Sequence, residues 1–249
     1  MFYPLNKMKN YIALFLLMGG MLFGSTAHAK NKKILVFCKT AGFHHDAIKE
    51  GIAAIQKLGA ENKIDVDTTI NSEKFTEANL KQYSAVVFLS TTGDVLNDAQ
   101  QEAFKNYINK GGNFVGVHAA TDTEYDWKWY GNMVGAYFGS HPSQQMAKLN
   151  VTDRTHISTK HLPEVWSRKD EWYNFKWLAD DLKFLIFIDE TSYDPGNGKM
   201  GKHPMAWYHD YDGGRAFYTE LGHTAESYTD PLYLQHLLGG IKYAIGSKK

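Results

Sequence analysis

Residues 114–121, with the sequence Phe-Val-Gly-Val-His-Ala-Ala-Thr, are the segment that decides the fold. The apolar first half predicts a buried strand, and sequence suited to a helix follows it without a spacer. A tight strand-to-helix turn needs small residues two positions before and two after its apex, and Gly116 and Ala120 meet that need. The apex is then His118, which we expect to be held rigidly at the mouth of a site.

Strand and helix patterns alternate around this segment. Apolar runs are separated by stretches of helical period, which is typical of βαβ units and a parallel sheet. Right-handed crossovers then predict an α/β fold with a flavodoxin-like, doubly wound and mostly parallel sheet. The predicted strands are 33–40, 64–70, 85–89, 113–117 and 182–189, and the predicted helices are 46–58, 76–83 and a segment capped at 97 or 98.

The C-terminal part predicts an antiparallel hairpin extension of this sheet. Segments 204–209 and 215–221 flank Tyr211-Asp212-Gly213-Gly214, and an Asp-Gly pair is a strong signal of a tight hairpin turn. Asp230 followed by Pro231 predicts the start of the last helix, because a capping side chain and a proline at the first helical position both favour helix initiation. No repeat or linker is visible, so we expect a single domain over 30–249.

Residues 1–29 have the pattern of a signal peptide. Lys7 and Lys9 precede an apolar run over 11–23, and Ala27-His28-Ala29 offers a cleavage site. An uncleaved membrane anchor is the alternative, although the run is short for a span. We therefore expect an exported protein, periplasmic or extracellular, with no stable membrane insertion after cleavage.

The charge balance argues against nucleic acid as a partner. The chain has 27 basic and 27 acidic residues, and removal of 1–29 takes away two lysines, which leaves 25 against 27. A net charge of −2 provides no excess of positive charge for phosphates. The single cysteine, Cys38, lies in an apolar run and is expected in a buried strand, so the chain forms no internal disulfide.

Chemistry-bearing side chains follow the ends of the predicted strands, where an open parallel sheet binds its ligands. His118 is the first candidate, as a neutral proton acceptor, because the start of a following helix disfavours the imidazolium. Asp122, one helical turn later, is expected to orient that ring. Glu171, flanked by aromatic residues, is expected to have a raised pKa and to act as the acid, with Glu190 as the alternative acid. A solvated loop position for Glu171 fits the sequence equally well.

A second group is expected to bind substrate. Of the adjacent His44 and His45, which point in different directions, we expect His44 to face the site, with Asp46 as a helix cap. The other candidates follow strand ends, lie in the tryptophan-rich middle segment or lie near the hairpin, and they are Thr92, Asp94, Trp127, His203, Trp207, His209 and His223. Their aromatic members either cover one face of the sheet or lie against the C–H faces of a sugar.

A metal site is a further alternative. The histidines at 44, 118, 203, 209 and 223 could bind a divalent metal such as zinc together with a carboxylate. The sequence has neither a His-x-x-x-His helix motif nor a pair of cysteines, so no cofactor is expected to be required.

These segments also carry a resemblance to a known family. Matching stretches are 42–46, 91–94, 116–129, 170–175, 189–190, 211–214, 221–224 and 236–241, and they resemble the trehalose-utilisation (ThuA-like) family over nearly the whole of 30–249. The resemblance implies a scaffold similar to class I glutamine amidotransferases and a role in disaccharide utilisation. Those enzymes have cysteine at the elbow, so His118 argues against thiol chemistry here. His44 stands where the family often has arginine.

The functional hypothesis is an enzyme that acts on a sugar or keto-sugar by histidine and carboxylate acid–base chemistry, as an isomerase, epimerase, lyase or glycoside hydrolase. Its partner would be a small-molecule sugar. A non-catalytic carbohydrate-binding protein and a metal-dependent hydrolase are the two alternatives.

Overall fold

A computed structural model describes residues 1–2 and 31–246. The predicted signal peptide, apart from its first two residues, lies outside the described residues. Asn31–Lys249 cluster as one compact unit. Among the residues that are described, we find no helix with both the length and the apolar character needed to cross a membrane.

The fold is α/β, with one large mixed sheet and helices on both of its faces. The strands are β1 (Lys32–Phe37), β2 (Ile64–Thr69), β3 (Ala85–Leu89), β4 (Phe114–Val117), β5 (Ala136–Ser140), β6 (Gln145–Val151), β7 (Val165–Asp170), β8 (Asn174–Leu178), β9 (Lys183–Ile188), β10 (Pro204–Tyr211) and β11 (Gly214–Thr219). The helices are α1 (Ile48–Asn62), α2 (Glu77–Leu80), α3 (Asp98–Asn109), α4 (Lys128–Val134) and α5 (Pro231–Ala244).

The large sheet has the order β2-β1-β3-β4-β11-β10-β9-β6-β7, and β5 pairs with β8 separately. The pairs from β2 to β11 are parallel, and those from β11 to β7 are antiparallel. The antiparallel part of the large sheet is therefore larger than the predicted hairpin, because β6 and β7 join it from a stretch whose irregular sequence did not reveal them. Strands β1, β3, β4, β11, β9 and β7 all run in one direction, so their carboxyl ends share one edge of the sheet.

Local signals in the sequence explain several of these elements. The turn of the β10–β11 hairpin has positive φ at Asp212 and Gly213, which is the type I′ geometry that an Asp-Gly pair favours. The Asp230 side chain accepts a hydrogen bond from the Leu232 backbone at the start of α5. Asp46 was wrongly expected to cap α1, which begins at Ile48 after an N-cap residue without a side-chain bond.

The predicted turn after β4 is present and tight. His118 has a φ of +51°, and residues 118–122 form a 3₁₀ helix rather than a full α-helix. A Cβ atom added at Gly116 would lie 2.9 Å from the Tyr218 ring and 3.2 Å from the Ala120 Cβ. Both positions must therefore be small for the chain to turn here, as the sequence predicted.

Candidate active site

Four side chains from four separate segments meet at the shared edge of the sheet. They are His45, His118, Glu171 and His223, and one nitrogen or oxygen of each lies within 4.8 Å of those of the others. The sequence placed three of them at strand ends, and only the fold brings them into contact.

His118 is the most deeply buried side chain of this cluster. Its Nδ1 lies 2.8 Å from the backbone carbonyl oxygen of Glu220, which can only accept, so Nδ1 carries a proton and donates it. The other ring nitrogen, Nε2, lies 3.0 Å from His223 Nδ1 and 3.6 Å from Glu171 Oε2. The His118 side chain is fully buried. The elbow therefore holds it beneath the site, whereas the sequence predicted a position at the mouth.

Asp170 explains how Glu171 and His223 come together. Its carboxylate accepts hydrogen bonds from the backbone N–H groups of Glu171, Gly222 and His223, each at 3.1 Å. The buried Arg168 guanidinium donates to the same carboxylate at 2.9 Å. One charged side chain thus ties the end of β7 to the loop after β11, and the next residue along the chain, Glu171, is directed at His223.

Glu171 presents its two oxygens to different partners. Oε2 lies 3.0 Å from His223 Nδ1, whereas Oε1 lies 3.1 Å from Nδ1 of His141. Burial by itself would raise the pKa of Glu171, but the hydrogen bonds and charges of His118 and His223 outweigh burial and hold the pKa well below its usual range. The expectation of a raised pKa for Glu171 is therefore wrong, because the shift runs in the opposite direction.

The remaining titratable groups are shifted in opposite directions. Burial, followed by the charges of His118 and His223, lowers the pKa of His45 to about 3. Burial also acts to lower the pKa of His223, but Glu171 outweighs it and the pKa is raised. Burial raises the pKa of Glu220 well above its usual range, and Asp170 adds to the effect. The shifts thus favour the carboxylate form of Glu171 and the neutral form of His45.

The adjacent histidines after β1 face opposite ways, and the one expected in the site lies outside it. His45 is buried, with its ring centroid 4.8 Å from that of His118, whereas His44 is exposed and its Nδ1 lies 3.2 Å from the Thr40 hydroxyl. Thr92, expected to bind substrate, holds this loop: its hydroxyl donates to the Phe43 carbonyl at 2.8 Å.

Three further expectations about the site are corrected by the structure. Asp122 does not orient His118, because its carboxylate accepts a hydrogen bond from the Tyr125 hydroxyl at 2.5 Å. Glu190 lies apart from the cluster and pairs with His203, 3.0 Å away. His203 touches the site only indirectly, because its Nε2 donates to the backbone carbonyl of Tyr173, whose ring packs on His118.

The proposed sugar-contacting residues near the hairpin belong to the core. Trp207 is buried and donates to the Val134 carbonyl at 2.8 Å. His209, also buried, bridges the Asp181 carboxylate and the Met133 carbonyl. Trp127 stacks on Trp129 and Tyr130 against the sheet, and Asp94 is exposed at the end of β3 without a contact to the cluster. These side chains stabilise the fold around the site.

Sequence reasoning missed three site residues and misjudged a fourth. His141, Tyr173 and Glu220 were not singled out as functional, and His45 was set aside in favour of His44. Glu220 follows the last predicted strand and was selected by the strand-end rule, but no role was assigned to it, although a carboxyl directly after a buried strand is unusual. His141 follows β5 of the small sheet, and no local pattern indicates its approach to Glu171.

Comparisons with known proteins agree on the fold. The sequence model of the family described as trehalose utilisation (ThuA) matches residues 33–244. A putative ThuA-like protein from Bacteroides uniformis superposes with a TM-score of 0.75 at 22% identity, covering 96% of this chain and 97% of that one. A putative ThuA-like protein from Parabacteroides merdae has a TM-score of 0.72 at 21% identity, covering 88% and 93%. A β-galactosidase from Bacillus circulans matches with a TM-score of 0.58 at 13% identity, and the match covers 87% of this chain and 31% of the β-galactosidase chain. No curated protein matches the sequence significantly.

Proposed function

The chain belongs to the trehalose-utilisation (ThuA) family, and we propose that it is an enzyme that modifies a sugar or keto-sugar at the His118–Glu171–His223 cluster. Family membership supports a carbohydrate-related function. The class of reaction is our inference from the side chains that meet at the edge of the sheet.

The observation that carries the proposal is a carboxylate shared by histidines on its two sides. Glu171 contacts His223 through Oε2 on the buried side and His141 through Oε1 toward solvent. Exposure of the side chains rises outward along the contacts, from 0% at His118 through 8% at Glu171 to 42% at His141. Purely structural packing does not require such a graded line of titratable groups, whereas proton transfer at a site mouth uses one.

His141 is the group best placed to exchange a proton with a substrate. Its Nδ1 lies 3.1 Å from Glu171 Oε1 and 3.0 Å from the Pro142 carbonyl oxygen, and neither oxygen has a proton to donate. Nδ1 therefore carries a proton, and Nε2 is the ring nitrogen left to act as the base. A base of this kind suits removal of a proton beside a carbonyl, which is the step shared by isomerisation, epimerisation and elimination of a keto-sugar.

The surroundings of the mouth suit a sugar ring. Phe43 is 66% exposed and packs edge-on against His45, with ring centroids 4.9 Å apart. Phe138 and Tyr173 pack around His141. The exposed face of Phe43, next to these polar groups, provides a contact for the C–H face of a carbohydrate, whereas Phe138 is half-buried and Tyr173 is buried. We further propose export to the periplasm or outside the cell, which predicts that the secreted protein begins near Lys30.

The test is turnover of a panel of disaccharides and their keto forms, followed by NMR, with protein that begins at Lys30. We expect conversion of at least one keto-sugar by the native protein and a loss of about 100-fold or more in Glu171→Gln and His141→Ala. His44→Ala is the matched control, because His44 is an exposed histidine next to the site, and it should retain full turnover. Binding of sugars without conversion of any would instead establish a non-catalytic carbohydrate-binding protein.

A further inference from the structure

We propose that His45, His118, Glu171 and His223 bind a first-row divalent cation, with Zn²⁺ as the reference ion. The inference rests on the proposed function and deepens it, since the cation would lie at the same cluster. The sequence suggested a different set of metal ligands, in which His44, His203 and His209 were members. The structure places those three side chains elsewhere.

The separations between the donor atoms are close to those of a metal site, with two of the three somewhat shorter. His118 Nε2, His223 Nδ1 and Glu171 Oε2 form a triangle with sides of 3.0, 3.0 and 3.6 Å. Ligands at about 2.0–2.2 Å from a tetrahedral zinc ion are about 3.3–3.6 Å apart. The three atoms thus form one face of such a site, and His45 supplies a fourth donor within 4.8 Å.

The protons available do not satisfy this triangle. His118 donates its Nδ1 proton to Glu220, so its Nε2 presents a lone pair when the ring is neutral. Glu171 Oε2 presents further lone pairs, and His223 Nδ1 has at most one proton to share between the two. A cation satisfies all three atoms at once, whereas hydrogen bonds satisfy them only in part.

His45 provides an independent observation. His45 has a relative exposure of only 3%. Its Nδ1 has no hydrogen-bond partner within the described part of the chain. A buried polar atom without a partner is costly. Its ring packs edge-on against both His118 and His223, and one of its nitrogens lies within 4.8 Å of the other three donor atoms, where it offers an imidazole ligand.

The outer contacts are those that metal-binding histidines and carboxylates need. A histidine ligand usually donates its other N–H to a carbonyl or carboxylate, as His118 does to the Glu220 carbonyl. Glu171 is oriented by His141 through the oxygen that does not face the triangle. Within residues 31–246, no lysine or arginine pairs with Glu171, so its charge is left for a cation.

With the cation bound, His118 and His223 act as ligands and the proton is handled by His141. The cation would polarise a substrate carbonyl or hydroxyl oxygen, as expected of a Lewis acid. Mixed histidine and carboxylate ligands suit zinc and its first-row neighbours better than Mg²⁺ or Ca²⁺, which prefer oxygen ligands.

The test is calorimetric titration of the full chain, stripped with EDTA, with ZnSO₄, together with the visible spectrum after Co²⁺ addition. We expect one ion per chain, and loss of both signals in Glu171→Gln and His223→Ala, with folding checked by circular dichroism. Because Glu171→Gln keeps the shape of the side chain, it provides a folded variant even if His223→Ala does not. His44→Ala should bind like the native protein, and His141→Ala should keep stoichiometric binding.

Absence of binding by the native protein, or equal binding by Glu171→Gln, would overturn the metal site. Turnover of a keto-sugar that persists in EDTA would overturn the role of the cation and leave the proposed enzyme in place. Stoichiometric Zn²⁺ binding without conversion of any sugar would support the metal site and overturn the proposed enzyme. The two proposals can therefore fail separately.

Discussion

The Nδ1 atom of His118 donates a hydrogen bond to the backbone carbonyl of Glu220, 2.8 Å away. This bond joins the end of β4 to the end of β11, two neighbouring parallel strands. It selects the tautomer of the ring and directs Nε2 at Glu171 and His223. The geometry of the whole cluster therefore depends on a turn in which His118 has a left-handed backbone.

We expect His118→Asn and His118→Ala to differ in stability and to agree in activity. The φ of +51° disfavours alanine by about 1 kcal/mol, whereas asparagine tolerates this region. Both variants lose Nε2, so turnover should fall by about 100-fold or more in each. Urea unfolding and keto-sugar turnover are the measurements. Equal activity of the native protein and His118→Asn would exclude a role for Nε2.

Gly116→Ala is expected to destabilise the fold. The added Cβ would lie 2.9 Å from Tyr218 and 3.1 Å from Phe114, both in a packed core, which costs about 1–3 kcal/mol. Gly42→Ala is the control, because its added Cβ would lie at an ordinary 3.4 Å from the Thr92 side chain. Thermal unfolding should separate the two variants, and similar midpoints would contradict this account of the turn.

Asp170→Ala should be among the most destabilising single substitutions in the chain. It leaves the buried Arg168 guanidinium with only the partly exposed Asp230 carboxylate, 3.6 Å away, at a cost of about 3–5 kcal/mol, and it releases the backbone of His223. Arg168→Met combined with Asp170→Asn should recover part of that stability, since no unpaired charge remains. Chemical denaturation of the two variants provides the comparison, and equal stability would argue against the importance of the pair.

His236 predicts a loss of stability in mild acid. Its ring is buried, with Nδ1 donating to the Ser158 carbonyl and Nε2 accepting from the Thr219 hydroxyl. Burial lowers its pKa to about 3, and the positive charge of neighbouring groups, Arg168 among them, acts in the same direction.

The direction of the effect follows from proton binding by the unfolded chain. Its histidine has a pKa near 6.5 and takes up a proton as the pH falls, while the folded state does not. The stabilising contribution is thus present above pH 6.5 and declines by about 2 kcal/mol between pH 7 and pH 5. His236→Gln should reduce that pH dependence in urea unfolding curves. An unchanged dependence would show that other groups account for it.

Features that depend on a few neighbouring residues were predictable. The elbow, the Asp-Gly turn and the start of α5 each follow from the steric or hydrogen-bonding needs of adjacent residues. The strand-end rule also identified His118 and His223, whereas Glu171 was selected because aromatic residues flank it. The rule identified Glu190 too, which pairs with His203 instead of joining the cluster, because the rule selects an edge of the sheet and not a contact.

Local sequence does not determine whether His44 or His45 faces the site. Both follow the same strand, and neither composition nor spacing separates them. Thr92, far along the chain, decides which histidine faces the site. Its hydroxyl binds the Phe43 carbonyl and so fixes the orientation of the loop. Similarly, Asp122 was close enough in sequence to contact His118, but the 3₁₀ turn directs it to Tyr125.

The sequence by itself determined the α/β fold, the elbow and the family, because these follow from periodicity, from small residues at one turn and from patterns along the chain. The tertiary structure alone decided which side chains form the site. His45, His118, Glu171 and His223 come from segments far apart in sequence, and their donor atoms meet only through the strand order and the bonds of Asp170. Distances of about 3 Å between such groups are set by packing over the whole sheet, which no local pattern encodes.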